Sequence, residues 1–517
     1  MKSIDFSKCK SLTINLLIFH NTIKNNNKNM KTRNISYYTL FILALITASS
    51  CTSEFDEMNT DPNNPTSIGA QYLFPYAVEK TVDRYWGGNA RFERLNLDGA
   101  MLWTQYLARN IYSNEGDNYG ITPTFYNNTW KSLYNDGLVN FQRIITLTGS
   151  KSKTPNPNYE GAAMVMRSWT FSLLTDLYGA IPYTEALKGT DETPIYTPSY
   201  DAMDKVYIGI LADLKLANEK LVVGGPAVSG DIIYGGNILK WKKFANSLRL
   251  RLANRMAAKK SAEAKAIMSE ILSDATKYPI FTSNADNALL ANTATRPSNN
   301  EWHEVMVIGS RTDWSMSKTI VDKLTTLGDT RLDVFANKNK SGEYLGIPNG
   351  LPDAIATTYL SSASTLGNFF TQAATPSVIM TYGELQLILS EAALDGDISG
   401  DANTYLSKGI EASFGQYNLT VPSDYVKNLG SISKEKIMEQ KWIALFGQGV
   451  EAWTEFRRTG FPVFSERDPR AVFENDGKVP TRLPYPTTEY SLNKAKLDEG
   501  IKINGTDNMK TKLWWAE

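Results

Sequence analysis

The chain has 517 residues, in which 54 Lys and Arg are balanced by 54 Asp and Glu, and 42% of the residues are hydrophobic. This composition is typical of a folded globular protein and excludes a disordered tail or a protein with many membrane spans. The balanced charge leaves no basic field that could hold nucleic acid. Two Cys and two His in so long a chain exclude most metal and cysteine chemistry.

The first fifty residues carry an export signal. From Met30 onward, two basic residues precede an apolar run over 37–48, and Cys51 follows directly after small residues. This pattern is typical of a secretory signal and resembles the signal of a bacterial lipoprotein. We therefore predict a mis-assigned upstream leader at 1–29, a lipoprotein signal peptide at 30–50 and a lipid anchor on Cys51. The alternative is cleavage without lipidation, because Ala stands where such signals usually carry Leu.

Removal of residues 1–50 changes the charge of the chain. These residues include seven basic residues and one acidic residue, so residues 51–517 carry 47 basic and 53 acidic residues, a net charge near −6. The exported chain keeps one Cys, which the anchor uses, and one His, His303. Disulfides and cysteine metal sites are thereby excluded. No long linker interrupts residues 51–517, and we expect them to form a single domain.

Apolar residues recur at helical spacing in four segments. The four sets are Ala162, Met166, Trp169, Leu173 and Leu177; Ile238, Trp241, Ala245, Leu248, Leu252 and Met256; Val378, Tyr382, Leu385, Leu389 and Ala392; and Met438, Trp442, Leu445, Gly449, Ala452 and Phe456. Steps of three and four place each set on one face of a helix, and helices bury such faces against each other. The sequence therefore predicts a mostly α-helical fold with Trp169, Trp241 and Trp442 in the core. The basic residues of the second segment, Arg249 and Arg255 among them, are predicted to form a solvated helix face.

Two stretches, 85–125 and 280–375, lack this periodicity. The second is rich in Asn, Thr, Ser, Pro and Gly, with short apolar pieces, and the first has a similar character. A stretch of about ninety residues without a long helix is too large for an ordinary connection. We therefore predict that 280–375 is an irregular insertion with a function of its own.

Motifs for catalysis and cofactors are missing from the sequence. His303-Glu304 begins like a zinc-protease motif, but Val307 replaces the second histidine, so we predict no metal site there. No phosphate-binding glycine loop, dinucleotide fingerprint or nucleophile elbow occurs, and we predict no cofactor. Paired carboxylates are not excluded, because glycoside hydrolysis needs only two acidic residues that are close in space. A surface glycoside hydrolase is therefore the alternative function.

Five segments carry a resemblance to a known family. They are EFDEMNTDPNNPT at 54–66, TDLYGAIPYTEAL at 175–187, LKWKKFANSLRLRLANR at 239–255, DTRLDVFA at 329–336 and EKIMEQKWIALFGQGVEAWTEFRRTG at 435–460. Together they resemble SusD/RagB-type outer-membrane lipoproteins. The resemblance implies tetratricopeptide-like helix pairs that support a loop-rich ligand-binding half. It also implies a non-catalytic, lipid-anchored protein of the outer membrane, exposed at the cell surface, which binds a nutrient and delivers it to a SusC-like TonB-dependent transporter.

The resemblance implies an oligosaccharide as the usual ligand, with peptides as ligands of some members. Flat rings can lie against such a ligand, while amide and guanidinium groups donate hydrogen bonds to it. Candidate ligand residues are therefore those in the irregular stretches that no helical stripe explains: Tyr112, Asn114, Tyr119, Trp302, Arg311 and Trp314, with Trp86 and Tyr344 as a second tier. The alternative for each is burial within the loops or plain surface exposure.

Overall fold

Helices dominate the computed structural model, which describes residues 68–87, 94–464 and 466–516. All of these residues except Ile68 belong to one unit, Gly69–Glu517. The predicted leader, signal peptide and lipid anchor on Cys51 lie outside the described residues. None of the helices in the described part combines the length and apolar character that crossing a membrane requires.

Eighteen α-helices occur in the described part of the chain. They are α1 (Ala70–Trp86), α2 (Met101–Trp103), α3 (Pro123–Ser132), α4 (Val139–Thr148), α5 (Pro157–Tyr178), α6 (Met203–Lys220), α7 (Ile238–Met256), α8 (Ser261–Ser273), α9 (Lys318–Leu327), α10 (Leu332–Phe335), α11 (Asp353–Ala356), α12 (Tyr382–Leu394), α13 (Ala402–Gly415), α14 (Tyr425–Asn428), α15 (Lys434–Ala444), α16 (Gly449–Thr459), α17 (Thr487–Leu492) and α18 (Lys494–Asn504). The prediction of a mostly helical fold is confirmed.

Strands are short and form three antiparallel pairs. These pairs are β1 (Leu107–Arg109) with β5 (Trp314–Met316), β2 (Ile181–Pro182) with β3 (Tyr200–Asp201), and β4 (Ala288–Leu290) with β6 (Ser377–Met380). Three π-helical turns cover Asn96–Ala100, Leu133–Leu138 and His303–Ile308, and four 3₁₀ turns cover Asn284–Asp286, Thr357–Tyr359, Asn368–Thr371 and Asn475–Gly477. Within 280–375 the longest helix is α9, with 10 residues, so loops and small elements fill this stretch as its composition predicts.

The long helices begin at residues that satisfy their first free amide groups. At α5, the side chain of Asn156 accepts hydrogen bonds from the amides of Asn158 and Tyr159, and Pro157 follows at the first helical position. Asn237, Thr381 and other side chains of this type cap α7, α12, α13 and α15 in the same way. Consecutive helices then pack as pairs: α4 with α5, α5 with α6, α6 with α7, α7 with α8, and α12 with α13.

Two of the predicted helical stripes have different boundaries in the structure. Val378 lies in β6, and α12 begins only at Tyr382, so the prediction of one helix through both residues is wrong. The stripe that begins at Met438 is divided between α15 and α16. Gly447, in the connection, has φ of 92°, a conformation that favours glycine and interrupts a helix. The helical spacing of the apolar residues alone does not reveal either break.

The predicted solvated basic face of α7, formed by Lys242, Lys243, Arg249 and Arg255, is wrong for its arginines, whereas the two lysines are half-buried. Arg249, Arg251 and Arg255 are buried, although Trp241 and the other apolar residues of the stripe are buried as predicted. Burial of a guanidinium requires a paired carboxylate and further hydrogen bonds. The partners come from other helices and are remote in sequence, which is why the local pattern resembles an exposed face.

A buried ion network joins α5, α7, α12, α15 and α16. Arg255 of α7 donates to Asp176 of α5 at 2.7 Å and to Glu451 and Glu455 of α16. The network continues through Arg251 to Glu384, Lys441 to Glu455, and Arg458 to Glu391 and Glu455. Burial and carboxylate neighbours act in opposite directions on Arg255, and the carboxylates keep its pKa well above the ordinary value. The helices are therefore fixed relative to one another by charges as well as by apolar packing.

A second buried carboxylate, Asp117, ties the two irregular stretches together. It accepts hydrogen bonds from the Arg109 amide at 3.1 Å, the Asn349 side-chain amide at 2.6 Å and the Gly350 amide at 3.1 Å. Burial raises the pKa of Asp117 to about 6, although these hydrogen bonds oppose the shift. Loops near residues 109–117 and 349–350 are thereby held at a fixed separation.

We predict that Arg255→Met lowers the free energy of unfolding by about 3–5 kcal/mol, because it leaves buried carboxylates without their cation. Urea unfolding followed by circular dichroism measures the change. The control is Lys494→Met, which removes an exposed ion pair with Asp498 and should change the free energy by less than about 1 kcal/mol. Equal stability of the two variants would contradict a stabilising role for the network.

A second prediction concerns pH. The pKa of Asp117 is raised in the folded protein, so its neutral form contributes stability that is lost as pH rises through about 6. The difference in unfolding free energy between the wild type and Asp117→Asn should therefore shrink by about 1 kcal/mol between about pH 5 and about pH 7. Urea titrations at both pH values measure it. A difference independent of pH would show that the carboxyl titrates normally.

Candidate functional site

The pairing of β1 with β5 brings the two irregular stretches into one place. Arg109 lies opposite Trp314 in this ladder, and the Asn110 amide donates to the Asp313 carbonyl at 3.0 Å just beyond it. Residues of the first stretch therefore lie beside residues about two hundred positions later.

Arg109 occupies the centre of this junction and is almost fully buried. Its guanidinium donates to Asp98 at 2.7 Å and to Asp313 at 3.1 Å, and it lies 4.6 Å from the ring centroid of Trp314. Two carboxylates and an aromatic face compensate for the loss of water around the buried cation. Arg109 thus fixes the positions of Asp98, Asp313 and Trp314 relative to one another.

The ion pairs extend in both directions from Arg109. Arg94 contacts Asp98 at 3.2 Å, and Arg311 makes a two-point contact with Asp313. Burial raises the pKa of Asp98, while Arg109 and Arg94 act against the rise. We call Arg94, Asp98, Arg109, Asp313 and Arg311 the arginine–aspartate chain. Each member of the chain forms an ion pair with the next, so the five residues make one continuous polar network.

The turn that carries Asp98 is π-helical, covering Asn96–Ala100, and such turns often occur at functional sites. The loop that contains Gly116 crosses this turn at very short range. Gly116 has φ of 97°, and a Cβ atom there would lie only 1.9 Å from the Asp98 carbonyl oxygen. Only glycine fits both the backbone angle and the spacing.

Two clefts adjoin the arginine–aspartate chain on different sides. The first, which we call the Asp98 cleft, encloses about 190 Å³ and is lined by Asp98, Arg109, Asn114, Glu115, Phe125 and Glu474, among others. The second, the arginine cleft, encloses about 430 Å³ and is lined by Arg94, Arg296, Asn299, Glu304, Val305 and Arg311, among others. Each cleft is lined by two members of the arginine–aspartate chain: Asp98 and Arg109 line the first, and Arg94 and Arg311 line the second.

Three of the residues predicted from the sequence lie at this surface. Tyr112 is 39% exposed, and the Arg311 guanidinium lies 5.8 Å from its ring centroid. Asn114 lines the Asp98 cleft. Tyr112 has φ of 57°, a left-handed conformation that is costly for a residue with a bulky side chain. The structure therefore brings together Tyr112, Asn114 and Arg311 from both irregular stretches.

The other three predicted residues are buried. Tyr119 stacks on Phe473, with 4.6 Å between ring centroids. Trp302 is 0% exposed, and its indole nitrogen donates to the Trp86 carbonyl at 2.8 Å. Trp314 is covered by Arg109 and Arg94 and donates to the Leu97 carbonyl. These rings offer no open face to a ligand, and burial within the loops, the alternative considered for each, describes them.

The second-tier candidates also have internal partners. Trp86 is buried against Trp302 and donates to the Val378 carbonyl at 2.8 Å. Tyr344 donates its hydroxyl proton to Asp333 at 2.6 Å. Trp86 therefore contributes to the core beneath the site.

Sequence reasoning missed the charged residues of the site, namely Arg94, Asp98, Arg109, Arg296 and Glu474. Arg109 is followed along the chain by polar residues that look like an ordinary loop, and its partner Asp313 is 204 positions away. The two irregular stretches hold three arginines each, which over their combined length is close to the share in the rest of the chain, and Glu474 lies in neither stretch. The sequence therefore contains no local signal that singles out these charged residues.

His303 lies in the π-helical turn beside the arginine cleft. Its Nδ1 donates to the Thr371 carbonyl oxygen at 2.8 Å. Within residues 68–87, 94–464 and 466–516, no group of three or more His, Cys, Asp and Glu side chains is arranged to hold a metal ion. The chemistry of the described site is therefore that of rings, guanidinium groups, amides and carboxylates.

Comparison with solved structures identifies similar folds. A chitin-binding protein is 27% identical, with a TM-score of 0.75, and the match covers 86% of this chain and 99% of that chain. A chitin-binding SusD homologue from Flavobacterium johnsoniae is 22% identical, with a TM-score of 0.73 and coverage of 86% and 98%. A SusD homologue from Bacteroides uniformis ATCC 8492 is 24% identical, with a TM-score of 0.73 and coverage of 86% and 99%. The last two likenesses concern the fold alone.

The sequence comparisons give a family. No curated protein matches the chain. A SusD-like family described as "Starch-binding associating with outer membrane" matches residues 62–486, which is most of the chain. The chain therefore belongs to this SusD-like family of starch-binding, outer-membrane-associating proteins.

Proposed function

We propose that this protein binds an oligosaccharide against Tyr112 and the two clefts beside it, and delivers it to a TonB-dependent transporter of the outer membrane. The observation that carries the proposal is the position of Tyr112. Its ring is 39% exposed and lies 5.8 Å from the guanidinium of Arg311, which lines the arginine cleft, and Asn114, two residues later, lines the Asp98 cleft. One face of a pyranose ring is apolar and packs on an aromatic ring, while its hydroxyls need donors and acceptors.

The clefts supply such groups. Asn114 offers both a donor and an acceptor, Glu115 and Glu474 offer acceptors, and Arg311 offers donors. The description of the family as starch-binding, and the chitin-binding protein of similar fold at 27% identity, support a glycan as the ligand. A glycan is thus favoured over a peptide.

The hydrogen bonds of Asp98 favour a structural role for this carboxylate over acid catalysis. A glycoside hydrolase needs one carboxyl group that is free to hand over a proton. Both oxygens of Asp98 already accept hydrogen bonds, one from Arg109 and one from Arg94. Asp98 is therefore better suited to holding the wall of the cleft than to acid catalysis, and hydrolysis remains the alternative that the binding assay below also tests.

Surface anchoring through Cys51 and delivery to a SusC-like partner complete the proposal. Both rest on the resemblance at the N-terminal segment and on the family, which associates with the outer membrane. Two or more acyl chains at roughly 0.8 kcal/mol per buried CH₂ anchor a protein stably, whereas a single chain binds only marginally. The anchor would keep residues 51–517, which we expect to form a single domain, next to the transporter.

We predict that Tyr112→Ala weakens oligosaccharide binding by about tenfold or more, because it removes the stacking surface of the ligand. Titration calorimetry with starch-derived and chitin-derived oligosaccharides measures the affinity. Tyr196→Ala is the matched control, because Tyr196 is a 78% exposed tyrosine that lies in neither of the two irregular stretches, and it should bind like the wild type.

Unchanged affinity in Tyr112→Ala would place the glycan elsewhere on the protein. The mixtures of protein and oligosaccharide from these titrations are also separated by size, so that the length of the oligosaccharide can be measured. Recovery of intact oligosaccharide is expected of a binding protein, whereas shortened products would establish the hydrolase instead.

We also predict that Cys51→Ala moves the protein from the membrane fraction to the soluble fraction, because the acylated residue is lost. Fractionation of cells followed by immunoblotting measures the distribution. Cells that lack the transporter serve as the control, since they exclude retention by the partner. Membrane association of the variant in those cells would rule out Cys51 as the anchor.

A further inference from the structure

The lining of the arginine cleft carries more positive than negative charge. Three arginines, Arg94, Arg296 and Arg311, line it together with one carboxylate, Glu304. Arg296 uses that carboxylate in a two-point contact, at 2.8 and 3.0 Å from its Nε. Among the described residues, the lining of the cleft therefore holds more guanidinium groups than carboxylates.

The carboxylates that pair with these arginines mostly do not line the cleft. Asp98 and Asp313 are each shared between two arginines, because Arg109 lies between them and contacts both. Glu115 lies 3.9 Å from Arg109, so the arginines and carboxylates of the whole network balance in number. The described lining of the arginine cleft nevertheless presents three guanidinium groups to one carboxylate.

Two buried polar atoms of the lining have no hydrogen-bond partner among the described residues. They are Nε of Arg94 and Oδ1 of Asn299, and both residues are more than nine-tenths buried. Buried polar atoms are nearly always paired, so such a pair in a cleft indicates that something else supplies the partners. An open donor and an open acceptor in the lining of one cleft fit a ligand that carries both an anionic oxygen and a hydroxyl.

Arg311 connects this cleft to the aromatic surface. It lines the cleft and also lies 5.8 Å from the ring centroid of Tyr112. A sugar ring on Tyr112 would therefore place its substituents next to the guanidinium groups. The planar fork of Arg matches carboxylate and sulfate oxygens better than it matches neutral hydroxyls.

We propose that the arginine cleft binds an acidic substituent of the glycan, a uronate carboxylate or a sulfate ester, while the sugar ring packs on Tyr112. The inference deepens the proposed function and rests on it. Its consequence is that the preferred ligands are acidic oligosaccharides rather than neutral ones.

The test compares three probes of equal length by titration calorimetry: a neutral oligosaccharide of N-acetylglucosamine, an oligogalacturonate and a sulfated galactose oligosaccharide. At least one acidic probe should bind about tenfold more tightly than the neutral one, and added salt should weaken only the acidic binding. Comparison of the two acidic probes identifies which anionic group the cleft takes.

The discriminating variant is Arg296→Gln, because Arg296 is an exposed side chain whose replacement leaves the packed core intact. It should weaken binding of the preferred acidic probe by about tenfold and binding of the neutral probe by a clearly smaller factor. Arg143→Gln is the matched control, since Arg143 is an exposed arginine on α4 that lines neither cleft.

Equal affinity for neutral and acidic probes, or an acidic preference that survives in Arg296→Gln, would overturn this inference and leave the proposed function standing. Acidic binding that Tyr112→Ala does not weaken would also overturn it, because the anion would then be held away from the ring. Failure of all three probes to bind would overturn this inference, and the proposed function is overturned as well only if starch-derived oligosaccharides also fail to bind.

Discussion

Arg255 holds together helices that are far apart in sequence. Its guanidinium contacts carboxylates of α5 and α16, and removal of this cation would leave those charges buried without compensation. The position of α16 in turn fixes the start of the site. A Cβ atom on Gly449, the first residue of α16, would lie 2.6 Å from the side chain of Asn96, so the helix packs directly on the π-helical turn that carries Asp98. The buried ion network around Arg255 thus helps to position Asp98 and the charged residues that contact it.

The site divides its aromatic residues between two roles. Trp314 lies beneath the arginine–aspartate chain and stabilises it, whereas Tyr112 lies beside the chain and is partly exposed. Because the buried ring and the paired charges are rigid, the exposed ring and the clefts keep a fixed geometry before any ligand arrives. A preorganised surface loses less conformational entropy on binding. This arrangement suits the proposed binding of an oligosaccharide.

The sequence predicts the fold better than it predicts the site. Helical periodicity identifies α5 and α7 closely, since both bury a broad apolar stripe. It fails for Arg255, because the reason for its burial lies in carboxylates contributed by other helices. It fails in the same way for Trp302, which looks like a loop ring but is enclosed by residues more than two hundred positions away. The burial of both residues depends on contacts with residues far away in the sequence, which a local sequence pattern does not encode.

A crystal structure of the protein with a bound oligosaccharide tests the central claim most directly. The account predicts a sugar ring within van der Waals distance of the Tyr112 ring, with its substituents entering the Asp98 cleft and the arginine cleft. A sugar seated instead in the separate cleft around Arg167 and Tyr183, with the Tyr112 surface empty, would contradict it.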